Sequence, residues 1–468
     1  MDIDAASVRA RMPLAEASLL VWRHIADPTF LEQLFERDRG RHYTRVLSFP
    51  VMVQLVADAL LTHGGSGRHE LERARAAGRL PASIQAAYGK LRRMPVAVST
   101  TFLAGCTDRL RALYPKPARQ SPPGSLADFE VLVLDGKTVK WVHKRLKVAR
   151  KTPGGVVGGK ALVAMALNSG LVLGMHAHPD GDVNEIQFVG DLAPLIRSRV
   201  AGPRLWLADR AFGYPTIIDR LSQDDDAFVV RARSGVTFEP DATRPAQAGH
   251  DAEGQAITQV WGWLGRAGGP HRAYVRRITL TRAAGDAIHL LSNLLDSAAY
   301  PAADLLALYR ARWGIERVFQ QVTEVFGLRT LIGMSPSATL FQLAFCLLIY
   351  NITQVTRAYI AAAQDRPAES ISNHRLFDDV QDHLTAWQLF ATPAQTVMYL
   401  SAFTDAGAVR ARLHALLDPL WTDVWIKAPS SKRTARSPPT PAARSHHSLF
   451  RLLHPQSPPN PTRKRTLR

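Results

Sequence analysis

Phe129–Leu134 reads FEVLVL and runs straight into Asp135 and Gly136. A short run of β-branched and aromatic residues is the pattern of a buried strand, and it breaks with everything before it. Residues 1 to about 120 carry apolar spacing near 3.6, as in FLEQLFERDR, FPVMVQLVADALLTH and SIQAAYGKLRRM, which predicts helices throughout. QSPPG at 120–124 reads as the linker between the two regimes. The strand is expected to end at Leu134 and to deliver Asp135 at its C-terminal end, where a carboxylate can hold a metal at a sheet edge. An Asp-Gly turn is the plainer alternative.

RLWLA at 204–208 repeats the arrangement and ends in Asp209, with Arg210, Phe212 and Gly213 leading into a helix over 215–221. Between the two strands lies a basic, Gly-rich excursion, 137–160, containing Lys137, Lys140, Lys144, Arg145, Lys147, Arg150 and Lys151. Its GGVVGGK nearly spells a phosphate-binding P-loop. Ala161 stands where Ser or Thr must hold magnesium, however, and the following segment reads as a strand, so a basic loop contacting phosphates is the better reading. Residues 161–167 and 171–178 predict strands around the turn Asn168-Ser169-Gly170. His176 and His178 are expected to be structural. A helix follows over 182–200 with Asp182 as N-cap, then a strand over 228–231.

Residues 235–296 are strand-like and turn-rich, and predict an inserted β-rich subdomain. Trp261 and Trp263 alternate within it, as core tryptophans or, less simply, as stacking partners of an unpaired base. Beyond it stands Tyr309–Leu328, YRARWGIERVFQQVTEVFGL, expected as one helix from Pro301 to a stop at Gly327. Tyr309, Arg312 and Glu316 would share a face there. Taken alone, Arg312 and Glu316 form an ordinary i,i+4 surface pair. Residues 338–363 and 373–416 return to helical patterns.

The chain has 468 residues and a formal net charge of +18, the balance of a protein that meets a polyanion, nucleic acid first. About ten of the Lys and Arg residues lie in 427–468, which has no acidic residue. Its Pro, Ser and Arg composition predicts disorder and at most a non-specific nucleic-acid tether. His42, Arg45, Arg92 and Arg93 are further candidates for phosphate contact. Cys106 and Cys346 support neither a disulfide framework nor a zinc site, which fits a reducing compartment. The N-terminus does not read as a signal peptide. The apolar run 340–350, interrupted by Gln342, is too short to span a bilayer, so a buried helix and no membrane partner are expected.

Asp135 in VLVLDGKT, Asp209 in LWLADRAFG and Glu316 in YRARWGIERVFQ stand in an order and context that resembles the DDE transposases of bacterial insertion sequences. The likeness is to the family with a Tyr-x2-Arg-x3-Glu-x6-Lys signature, insertion sequence four and its relatives, and it covers about residues 125–355. It implies an α/β fold: a ribonuclease-H-like catalytic core at 125–335 interrupted by the β-rich insertion at about 235–296. A helical DNA-binding region at 1–120 and a helical region at 336–426 would flank it, with the basic tail at 427–468. Asp135, Asp209 and Glu316 would then be catalytic and bind two Mg2+ or Mn2+ ions. Tyr309 and Arg312 would contact the DNA backbone, and Lys137, Lys140 and Arg210 lie near enough in sequence to join them. The signature's lysine falls on Thr323, which brings a hydroxyl and no charge; Lys137 or Lys140 could compensate. The implied activity is cut-and-paste transposition on the terminal inverted repeats and target DNA, by a homodimer, in the cytoplasm at the bacterial nucleoid. A decayed or domesticated DNA-binding relative and a general metal-dependent nuclease are the competing readings.

Overall fold

The computed structural model describes residues 10–41, 46–62, 66–115, 122–140, 142–144, 146–251, 253–282, 287–427 and 446–455. His42, Arg45, Arg145 and residues 120 and 121 of the linker lie outside them. The N-terminal part is helical as its periodicity predicts: α1 Pro13–Ile25, α2 Pro28–Asp38, α3 Phe49–Thr62, α4 Gly67–Ala76, α5 Ile84–Arg93 and α6 Val96–Arg111. Ser66 and Ser83 cap α4 and α5 by accepting from the backbone N–H three residues on.

The strands begin with β1 Glu130–Thr138, then β2 Gly155–Val157, β3 Lys160–Ala166, β4 Val172–His178, β5 Arg204–Ala208 and β6 Ala227–Arg231. The region 235–296 supplies β7 Phe238–Pro240, β8 Gln247–His250, β9 Ala256–Leu264, β10 Ala273–Thr281 and β11 Ala287–Ser292. It is β-rich as read, but its strands continue the main sheet. One ten-stranded sheet runs β4-β3-β1-β5-β6-β11-β10-β9-β7, with β8 also on β9. β1, β5 and β6 are parallel neighbours, and every other pairing in that sheet is antiparallel. The molecule is therefore mixed α/β, with a large mixed sheet and helical flanks.

Several expectations need correction. β1 does not stop at Leu134. It pairs with β5 only as far as Val133↔Leu207 and with β3 on to Thr138↔Lys160, so Asp135 lies inside the strand, just past its parallel partner. Asp182 is not a helix N-cap. Asn184 caps a single 3-10 turn, Glu185–Phe188, that leads into α8 Val189–Arg197, and α7 is the short Lys147–Arg150. α9 is Pro215–Leu221, as read. The helix expected from 301 to 327 is two, α10 Ala302–Ala311 and α11 Gly314–Glu324. At the junction Arg312 N–H donates to Tyr309 O and Ile315 N–H to Arg312 O, both three residues back. Gly314 lowers the local helix propensity and lets the turn tighten there.

The long helix α12, Pro336–Ala363, fills the centre. It exceeds the expected apolar run and is long and apolar enough to cross a membrane, yet its most apolar window is wholly buried within the protein. Phe341 and Phe345 pack with Phe102 of α6 at ring-centroid distances of 5.6 and 4.8 Å, so the N-terminal helices and α12 share one core. Gln342 interrupts the apolar run because it has work in the backbone. It accepts from Ile332 N–H and donates to Gly327 O and Thr330 O, fastening the turn that follows α11. Asn351 likewise accepts from Val172 N–H and donates to Val172 O, closing the free edge of β4.

α13 Asn373–Phe390, α14 Pro393–Leu400 and α15 Ala406–Leu417 complete the C-terminal helices. Residues 446–455 of the tail, where disorder was expected, carry structure. His446–Ser448 forms β12, parallel to β2, and Leu449–Leu453 forms α16. Leu449 is fully buried, Ser448 Oγ accepts from Gly181 N–H, and Arg451 Nε donates to the buried Asp180 at 2.7 Å. Composition concealed this because a few apolar residues, SLFRLL, suffice when the pocket already exists elsewhere in the chain. Leu449→Asp is expected to release this segment, a local loss of about 2–3 kcal/mol. Hydrogen exchange should then accelerate at Val156 and Val157 while protection of β1 and β5 is kept; unchanged exchange at β2 would contradict it.

Candidate active site

The parallel register of β1 and β5 decides where the two aspartates lie. The pairing ends at Val133↔Leu207, so Asp135 lies two residues beyond it on β1 and Asp209 stands just after β5, close enough for the Asp209 charge to act on Asp135. Each carboxylate has one oxygen held. Asp135 Oδ1 accepts from Gly136 N–H at 2.8 Å, and Asp209 Oδ1 accepts from Ala211 N–H at 2.7 Å, capping a 3-10 turn. The second oxygen of each remains for another partner.

Glu316 comes from the other side, on the first turn of α11. Ile315, Val318, Phe319 and Val322 of that helix are buried, and α11 packs against β1. Glu316 Oε1 accepts from Arg312 Nη2 at 3.0 Å. The i,i+4 pair foreseen as surface decoration is thus present, but only its carboxylate is solvated: the Arg312 side chain is 6% exposed against 42% for Glu316. The Arg312 guanidinium lies 5.1 Å from the centre of the Trp313 ring and 5.8 Å from that of Tyr309. Tyr309 is itself buried, which raises its pKa.

The charges at this site feel one another. Burial pushes the Asp135 pKa up to about 6, opposed by the Gly136 N–H and Arg312 and reinforced by the negative charges of Asp209 and Glu316. Burial works against the Arg312 charge, but Glu316, Tyr309 and Asp135 hold its pKa above the usual value. Lys137, two residues beyond Asp135 on the same face of β1, is lowered to about 8 by burial and by Lys140. Lys137 Nζ donates to Thr323 Oγ1 at 2.8 Å and to Phe319 O at 3.1 Å. Lys140 and Arg210 are exposed beside this cluster.

Asp135, Asp209 and Glu316 are hard oxygen donors of the kind that magnesium and manganese take. Among the described residues, no three His, Cys, Asp or Glu side chains stand close enough together to hold a metal ion as they are. The aspartate pair is nevertheless enough to start a site, because magnesium characteristically uses one or two carboxylates and completes its shell with water and substrate phosphates.

His176 and His178 take structural roles: His176 lies 3.6 Å from Asp191, and His178 Nδ1 accepts from Asp180 N–H. Trp261 is a fully buried core residue, with Nε1 donating to Leu295 O. Trp263, expected to be its equal, is 38% exposed at the sheet surface. Arg92 and Arg93 are exposed on the last turn of α5. Sequence reasoning missed Asp226, a buried carboxylate that receives Arg197 Nε, Arg204 Nε and Trp206 Nε1 at 2.6–2.7 Å and so ties α8 to the first half of β5. It also missed Arg231, whose charge reaches Tyr309. Neither residue carries a local motif, so only the pairing of β5 with β6 reveals them.

Residues 127–352 match the family model of the transposase DDE domain. Over 235 residues the chain is 25% identical to "Putative transposase y4zB" of Sinorhizobium fredii (strain NBRC 101917 / NGR234), covering 47% of this chain and 64% of that protein. The chain therefore spans somewhat less than two thirds of that relative's length. A cryo-EM structure of the piggyBac transposase synaptic complex with hairpin DNA is similar over 89% of this chain and 88% of its own, at 12% identity and a TM-score of 0.38. Residues 127–352 are thus similar to the DDE domain of transposases, and part of the chain is similar to a protein named as a putative transposase.

Proposed function

We propose that the chain is a cut-and-paste transposase whose metal-binding triad is Asp135, Asp209 and Glu316 in a ribonuclease-H-like core. The observation that supports the reading is that Asp135 and Asp209 follow closely on the last residues of the paired strands β1 and β5, with the charges of Asp209 and Glu316 both felt at Asp135. DDE domains are generally dependent on divalent metal, and two Mg2+ or Mn2+ ions fit this donor set. Bound there, they would supply positive charge to the phosphodiester oxygens and an acidified water.

The protein's own groups then have distinct tasks. Asp135, within β1, and Asp209, just after β5, each keep one oxygen on a backbone N–H, which fixes the direction of the other. Arg312 holds Glu316 by one oxygen and leaves the second to close on the site. Exposed Arg210 and Lys140 meet DNA phosphates outside the cluster, while Tyr309 and Arg312 shape its wall. Water adds to phosphorus at the end of the element, and the bond to the 3′ oxygen breaks as that oxygen takes up a proton. The freed 3′-hydroxyl then attacks a second phosphodiester, on the opposite strand or on target DNA, and displaces another 3′-hydroxyl. One ester bond replaces another, so this second step needs no ATP. Double-stranded DNA and a second copy of the chain are the partners this scheme requires, in the bacterial cytoplasm.

Duplexes carrying the DNA that flanks the coding region test it. In the presence of magnesium they are expected to be cut at the inverted repeats, and unrelated duplexes left whole. Equal cutting of both would identify a general nuclease. Binding without cutting would favour the decayed relative, the reading that Thr323 motivates.

A further inference from the structure

We propose that Lys137, seated on Thr323, is the cation that binds the DNA phosphate at the carboxylate cluster, so that strand β1 supplies both a metal ligand and the phosphate anchor. This rests on the reading of Asp135, Asp209 and Glu316 given above. Three observations carry it.

The first is placement. Residues two apart on a strand share a face, so Asp135 and Lys137 both look toward α11. On α11, Glu316, Phe319 and Thr323 stand at i, i+3 and i+7 and share the face that looks back. Lys137 bridges the two elements. Its ammonium reaches Thr323 Oγ1 and Phe319 O and lies 5.4 Å from the centre of the Phe319 ring.

The second is the chemistry of the seat. Thr323 Oγ1 donates its own proton to Phe319 O at 2.7 Å, which turns a lone pair toward Lys137. Both acceptors of the ammonium are neutral. An ammonium has three protons to give, and these two contacts take two of them. The nearest carboxylates, Asp135 and Glu324, act on it through their fields and are not hydrogen-bonded to it. A half-buried cation with neutral acceptors and a spare donor is an arrangement that an incoming oxyanion completes.

The third is the small side chain at 323. A lysine there, as the resemblance led one to expect, would bring a second ammonium onto the first. Threonine instead leaves room for the amine that arrives from β1, and its hydroxyl positions it.

The experiment measures binding of a duplex carrying the flanking inverted repeats across a salt series without metal, and cleavage of the same duplex with magnesium. It compares the wild type with Lys137→Ala, Lys137→Arg, Lys137→Thr and the relocated pair Lys137→Thr with Thr323→Lys. Lys137→Ala should flatten the slope of log affinity against log salt by about 0.9, the share of one phosphate, and lower the cleavage rate by roughly a hundredfold or more. Lys137→Arg should keep the slope. The relocated pair should recover at least about tenfold in cleavage over Lys137→Thr alone, because the charge returns to the same place from the other side. A purely structural Lys137 would lower the melting temperature, leave the salt slope unchanged and gain nothing from relocation, and that pattern overturns the proposal. Asp135→Asn, run alongside, reports on the underlying reading separately: cleavage surviving in it sinks that reading whatever Lys137 does to the slope.

Discussion

Replacing Asp135 by asparagine is expected to abolish metal-dependent cleavage, leave DNA binding intact and make the metal-free protein more stable. Asparagine keeps the shape and the oxygen that accepts from Gly136 N–H, so the local backbone has no reason to move. It removes the charge. In the folded state burial raises the carboxyl pKa from 3.8 to about 6, so the unfolded chain ionises first as pH rises. Between those two values the unfolded state binds fewer protons, and wild-type stability falls with increasing pH. Above about 6 the deficit is complete, on the order of 1–2 kcal/mol once partial exposure is allowed for. Thermal melts of the two proteins should therefore coincide below the unfolded pKa, separate as pH rises toward 6, and stay apart beyond it. A gain in stability bought with a complete loss of cleavage is what a functional carboxylate gives and a structural one does not. Asp209→Asn and Glu316→Gln should also lose cleavage. Cleavage persisting in all three variants would show the assignment to be wrong.

Asp226→Ala should be the most destabilising single change around the sheet, by roughly 3–5 kcal/mol. Asp226 is 1% exposed and satisfies Arg197, Arg204 and the Trp206 indole together. Arg197 and Arg204 are themselves 8% and 13% exposed. Truncation would take the carboxylate from two guanidiniums, which keep only their backbone acceptors and the more distant Asp224, and from the buried indole N–H, in a region that admits little water. Whole domains are stable by only about 5–15 kcal/mol, so a loss of this size should be evident in the denaturant midpoint. Asp226→Asn keeps an acceptor but no charge and should fall between. A loss under about 1 kcal/mol for the alanine variant would mean that the two arginines find water or other partners. Because β5 carries Asp209 at its end, cleavage should fall in step with stability in this series, in contrast to Asp135→Asn.

Much of the scaffold was legible along the chain. The change from 3.6-residue spacing to short β-branched runs at Phe129 located the first strand, the turn at 168–170 located the hairpin, and RLWLA located the strand before Asp209. These are local patterns, governed by which face of an element is buried. Strand and helix ends were read less well. β1 continues past Asp135 because β3 pairs with it there, and α10 and α11 separate because Gly314 and the buried Arg312 tighten one turn. Neither cause is visible in the periodicity of the residues concerned.

What the sequence determined by itself was the inventory: three carboxylates in three recurrent contexts, a basic chain, and an alternation of apolar residues that lays down strands and helices. What only the tertiary structure decided was company. Asp135 and Asp209 are brought near one another by the pairing of β1 with β5, Arg312 is buried beside two rings, and Asp226 collects three partners from a helix and a strand. Ser448–Leu453 docks on a loop that lies about 290 residues earlier in the chain, and Lys137 takes its seat at Thr323, 186 residues away. The physical reason is that burial and charge pairing are set by neighbours in space. A side chain's own sequence surroundings hold little record of the neighbours that folding brings to it.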